Sequence, residues 1–100
     1  MNVIQQQISI QGSFLNREEF AELAGVSLQR LQELLALGWL EELPGMDEQP
    51  FREADIYRVR KLERICCDFD LPVLGGVIIV DLLERIDTLE RALRALKDAE

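Results

Sequence analysis

The chain has 100 residues, 48% of them hydrophobic, and its 19 acidic against 11 basic side chains give a formal net charge of −8. That length supports one small domain, or one domain with an extended helical tail, and only a modest core. With no histidine and just two cysteines, histidine-based triad catalysis is excluded and zinc or haem ligation is not expected, so neither an enzyme nor a cofactor is predicted.

Residues 1–13 lack the basic-then-apolar layout of a signal peptide. Ile8 and Ile10, followed by Gly12-Ser13, predict a short strand ending in a turn, the alternative being a glutamine-rich terminus without fixed structure. From Phe14 to Leu40 the spacing predicts two short helices joined at Ala24-Gly25-Val26. Phe20, Leu23 and Ala24 are the apolar positions of the first, and Leu28, Leu31, Leu34 and Leu35 those of the second. The punctuation agrees, because Asn16 can cap the first helix with Glu19 three residues on, Ser27 can cap the second, and Gly38 can end it. Gly25 suits a tight interhelical turn, and the whole reads as a helix-turn-helix.

Trp39-Leu40 is expected to begin a strand, Pro44-Gly45 to turn, and Gln49-Pro50-Phe51 to return, which has the size of a small wing hairpin. A third helix follows from about Arg52, with Ile56, Val59, Leu62, Ile65, Cys66 and Phe69 as one apolar stripe. Trp39, Leu40, Ile56 and Val59 are predicted core residues. Cys66 and Cys67 are adjacent on this helix, about 100° apart, so they are read as reduced packing residues and not as a disulfide.

Asp70 is predicted to cap a fourth helix, with Pro72 in its first turn. Gly75-Gly76 inside that helix costs about 1 kcal/mol each against alanine, which points either to close approach of a neighbouring backbone or to loose packing. The apolar run Leu71–Val80 is far too short to span a bilayer, and a cytoplasmic protein without membrane contact is expected. Beyond Val80, Ile79, Leu82, Ile86, Leu89, Leu93 and Leu96 follow a 3-4-3-4-3 spacing. Asp81/Arg85, Asp87/Arg91 and Glu90/Arg94 are acid-to-base pairs four residues apart. Self-association as a homodimer through Leu82, Ile86, Leu89, Leu93 and Leu96 is favoured over packing of this seam on its own domain. The domain division expected is 1–70 for the helix-turn-helix and wing, and 71–100 for the last helix.

The charge is uneven. Residues 1–50 hold Arg17 and Arg30 against Glu18, Glu19, Glu22, Glu33, Glu41, Glu42, Asp47 and Glu48, a balance of −6; residues 51–100 hold nine basic and eleven acidic side chains, or −2. The helix-turn-helix half is therefore the acidic half, the reverse of what a phosphate-binding surface needs.

The order helix-turn-helix, wing, helix, helix with heptad tail resembles the MerR-like winged-helix group. The residues that carry the likeness are Leu23-Ala24-Gly25-Val26-Ser27, Leu31, Leu37-Gly38-Trp39-Leu40, Phe51 to Val59, and Asp70-Leu71-Pro72. The resemblance implies a mainly α fold, a MerR-like winged helix-turn-helix with a small β wing and a C-terminal helix carrying a short heptad tail. Within the group the sequence is similar to the CbpM-type chaperone modulators, which bind the J-domain of the DnaK co-chaperone CbpA and inhibit it. That likeness covers roughly residues 3–97 and rests on the acidic wing, the Asp70-Leu71-Pro72 start and the short heptad tail in combination.

DNA-binding members usually place arginine and tyrosine after the position of Val26-Ser27 and further arginines in the wing. Here the matching segments are Leu28 to Leu35 and Glu41 to Glu48, and the second holds four carboxylates and no cation. A DNA-binding regulator that reads a palindrome as a dimer stays the alternative, since Gln29, Arg30 and Gln32 can reach bases. A structural interaction module is the third class. For a J-domain partner, whose basic helix precedes a His-Pro-Asp loop by resemblance, the expected contact residues are Glu33, Glu41, Glu42, Asp47 and Glu48. Trp39 or Leu43 would be the apolar anchor if exposed, and Asp55, Glu63 and Asp68 on the third helix form a competing surface.

Overall fold

The computed structural model describes residues 14–99, and the strand expected around Ile8 and Ile10 lies outside them. The elements are β1 (Phe14–Leu15), α1 (Arg17–Ala24), α2 (Leu28–Ala36), β2 (Phe51–Arg52), α3 (Ala54–Phe69) and α4 (Val73–Ala99). The chain forms two compact units, one through Lys61 and one from Leu62.

In the first unit each boundary of the two short helices has a local cause. Asn16 closes a full capping box, its Oδ1 accepting from the Glu19 amide at 2.8 Å and its own amide donating to Glu19 Oε1 at 3.0 Å. Ser27 Oγ accepts from the Arg30 amide at 3.0 Å. Both helices end in the same motif: a left-handed glycine, Gly25 (φ 77°) or Gly38 (φ 75°), donates three residues back. The next amide, of Val26 or Trp39, donates five residues back, to Ala21 or Leu34. Phe20, Ala21, Ala24, Leu31, Leu34, Trp39, Leu40, Pro50, Phe51, Ile56 and Val59 are buried, with Phe20 and Phe51 stacked at 4.9 Å between centroids. Trp39, Leu40, Ile56 and Val59 are core as expected, whereas Leu23 and Leu28 are exposed.

The small sheet is antiparallel, but its composition differs from the expected hairpin. β2 pairs with β1, in the register Phe14↔Arg52 and Leu15↔Phe51, and Trp39-Leu40 is not a strand. The cause is a prior commitment: the amides of Trp39 and Leu40 both donate to the Leu34 carbonyl, at 3.2 and 3.3 Å, to finish α2. Both side chains are also buried, which an alternating strand does not allow. Pro50 has no amide to give a ladder, so the wing is a loop, closed at its base by Leu43 N–H to Pro50 O at 2.9 Å and turning at Gly45 (φ 79°).

In the second unit Leu62, Cys66, Val77 and Val80 are buried, and Gly76 is what lets α3 and α4 meet. A Cβ there would lie 2.3 Å from Cys66 Sγ and 2.9 Å from Leu62 Cδ1, so the close neighbour is a side-chain pair and not backbone. Gly75 has only ordinary contacts, none nearer than 3.8 Å. Three expectations need correction here. Phe69 is 68% exposed, because α3 stops there and its buried stripe ends one turn earlier at Cys66. Asp70 is no N-cap: at φ 54° it is the left-handed residue that ends α3, donating to Cys67 O while Leu71 N–H reaches Cys66 O at 2.9 Å. Cys67 is exposed, so only Cys66 packs, and both thiols are free. Among the described residues no helix is long and apolar enough to cross a membrane.

Candidate functional site

The surface a helix-turn-helix usually offers a partner is the outer face of its second helix and the wing beside it. On α2 the inward positions are Leu31 and Leu34, which leaves Gln29, Gln32, Glu33 and Ala36 turned to solvent. That face carries one carboxylate, Glu33, and the half-buried Arg30 reaches it from the side. In the wing loop Glu41, Glu42, Asp47 and Glu48 are all exposed.

Arg17 and Arg30 are the basic residues of positions 14–50, and each is held by a carboxylate. Arg17 Nη2 donates to Glu42 Oε2 at 2.8 Å and its Nη1 to Gln32 Oε1 at 3.2 Å, so one guanidinium ties α1, α2 and the wing loop together. Arg30 Nη1 donates to Glu33 Oε1 at 3.1 Å. Exposed pairs of this kind contribute about 0.2–1 kcal/mol each, so their main effect is on the field. The cations a phosphate would seek are already matched, and Glu18, Glu19, Glu22, Glu41, Asp47 and Glu48 still outnumber them.

Two basic residues of α3 act inside the same unit. The Arg58 guanidinium lies 4.0 Å from the Trp39 ring centroid and donates to the Trp39 carbonyl at 3.0 Å. Arg60 Nε donates at 3.0 Å to the Leu23 carbonyl, one of the orphan acceptors at the end of α1. Glu41, Glu42 and Asp55, with Arg52 and Arg58, line a cleft of about 380 Å³ between the wing loop and the start of α3. Asp47 and Glu48 line a separate, shallower depression at the loop tip.

The expected contact residues are thus distributed unevenly. Glu33, Glu41, Glu42, Asp47 and Glu48 are exposed and belong to one α2–wing surface; Asp55 is half-buried at the cleft edge. Trp39 is only 9% exposed beneath Arg58, so the condition for its use as an apolar anchor is not met. Leu43 is half-buried, while Glu63 is half-buried in the second unit, where Asp68 is exposed. Leu82, Ile86, Leu89, Leu93 and Leu96 are all exposed on α4, and Asp87 and Arg91 form an ion pair. Periodicity did not disclose the roles of Arg17, Gln32 and Arg58, which act across loops. The usable signal was composition: two cations among eight carboxylates before residue 51 are apt to be claimed by them.

A helix-turn-helix with capped short helices, a loop wing on a two-stranded sheet and two longer helices defines the class as a MerR-like winged-helix protein. Residues 15–98 match the model of the MerR HTH family regulatory protein, and the chain belongs to that family. No solved structure matches the chain.

Proposed function

We propose that this protein binds the J-domain of a CbpA-like co-chaperone and inhibits it, thereby modulating the DnaK chaperone system. The observation that carries this reading is the α2–wing surface, where five exposed carboxylates stand and Arg17 and Arg30 are paired with two of them, Glu42 and Glu33. Such a surface repels a phosphate backbone and attracts a lysine- and arginine-rich helix. The resemblance to CbpM-type modulators supplies the identity of that helix, the basic helix before the His-Pro-Asp loop of a J-domain. Occupying it keeps DnaK away by competition, and no catalysis is required. The DNA-binding alternative has in its favour the exposed Gln29 and Gln32 on α2, which have the chemistry to contact adenine.

The test is titration calorimetry of the protein against a CbpA-like J-domain and against duplex DNA, at several salt concentrations. The Debye length shrinks from about 30 Å at 0.01 M to about 8 Å at 0.15 M salt, so affinity for the J-domain should fall as salt rises. Changing Glu41, Glu42, Asp47 and Glu48 to lysine should weaken J-domain binding and raise non-specific DNA binding. Full J-domain affinity in that variant would sink the wing assignment, and tight sequence-specific DNA binding by the wild type would sink the functional reading.

A further inference from the structure

Arg17 is the first residue of α1, a position where a helix favours carboxylates such as Glu18 and Glu19 beside it. The positive end of the α1 dipole repels a cation there, so the reason for an arginine lies outside its own helix. Its contacts supply that reason. Nη2 donates to Glu42 Oε2 at 2.8 Å and Nη1 to Gln32 Oε1 at 3.2 Å, so one planar fork joins the outer face of α2 to the wing loop. Both acceptors belong to the surface that the proposed partner would cover.

A guanidinium is therefore seated on that surface already. The two acceptors suit this group better than an ammonium. Gln32 is neutral, Glu42 is charged and they stand on different elements; a fork with fixed donors reaches both at once, whereas lysine presents a compact point charge. The hold is weak, because the Arg17 and Glu42 side chains are 40% and 43% exposed, and exposed pairs of this kind shift an equilibrium by only about 1.4- to 5-fold. An arginine of a docked partner, held in place by the rest of the interface, displaces Arg17 at little cost.

We propose that Gln32 and Glu42 form a guanidinium subsite of the α2–wing surface, closed by Arg17 in the free chain and opened to an arginine of a basic partner. The subsite rests on the reading that this surface takes a basic helix, and it selects arginine over lysine at one position of that helix.

Two synthetic peptides, hexa-arginine amide and hexa-lysine amide, test it in calorimetric titrations of the full chain at low salt. Arg17→Ala removes the occupant and leaves the capping box of Asn16 and Glu19 in place, so helical circular dichroism should match the wild type. This variant should bind hexa-arginine about two- to five-fold tighter than the wild type does. Its gain for hexa-lysine should be smaller, the part that follows from one cation fewer. Adding Gln32→Ala, which changes no charge, should erase the difference between the peptides. Equal gains for the two peptides in Arg17→Ala, or no gain, overturn the proposal. Looser binding overturns it as well, since Arg17 would then be a brace that holds the wing in place. The same titrations with a CbpA-like J-domain keep this subsite apart from the proposed function. A J-domain that does not bind, beside the expected peptide pattern, removes that partner and leaves the subsite; a J-domain that binds, beside equal peptide gains, removes the subsite and leaves the partner.

Discussion

Arg58 covers Trp39 from two directions at once, its guanidinium 4.0 Å from the ring centroid and its Nη1 donating at 3.0 Å to the carbonyl of the same residue. Trp39 is also the residue whose amide finishes α2. One side chain of α3 thereby fixes the point where the wing loop leaves the helix-turn-helix.

Replacing Arg58 by alanine removes a cation–π contact, about 0.5–2 kcal/mol, and leaves a part-buried carbonyl without this donor. The expected loss of stability is about 1–3 kcal/mol in urea unfolding. Lysine should recover less than half, because it lacks the planar fork that stacks and donates together. Full recovery by lysine would mean that charge alone matters at this position.

The two adjacent glycines of α4 should respond with opposite sign. Gly75→Ala meets only ordinary contacts and should stabilise by up to about 1 kcal/mol through helix propensity. Gly76→Ala drives its methyl into Cys66 Sγ and Leu62 Cδ1 and should destabilise by about 1–3 kcal/mol. Cys66→Ala should partly rescue it, a coupling that a double-mutant cycle measures.

At Asp70 the left-handed φ of 54° makes glycine the better residue, and Asp70→Gly should raise the melting temperature, by up to about 1 kcal/mol of added stability. Were Asp70 the cap of α4, glycine would be mildly destabilising instead. Thermal unfolding of this one variant separates the two roles.

The cysteines should differ in rate with a thiol reagent. Cys67 is exposed and Cys66 buried, so one thiol should react quickly in the native protein and the second only at the pace of unfolding. Equal rates would contradict the packing around Gly76.

What was legible in the sequence was what neighbouring residues decide. Asn16 with Glu19, Ser27, Gly25 and Gly38 announce their helix ends because capping is settled within about five residues, and Ile56 and Val59 lie on a period any helix must bury. The strand partner of Phe51-Arg52 lay out of reach, since it comes from Phe14-Leu15 and depends on where the Trp39 and Leu40 amides are already spent. Asp70 was misread because aspartate serves both at N-caps and in the left-handed region. At the candidate site the carboxylates were visible one by one. Their exposure, the burial of Trp39 and the capture of Arg17 by Glu42 and Gln32 required the tertiary arrangement.

The burial of Trp39 also gives the chain a built-in optical probe. It is the single tryptophan of the sequence and sits in the unit that ends at Lys61, so emission excited at the red edge of its absorption follows that unit alone. Far-ultraviolet ellipticity, in contrast, weighs every helix, including the 27 residues of α4. Superimposable denaturation curves by the two signals would mean the two units melt as one cooperative body, and a gap between them would resolve their separate lifetimes without any added label.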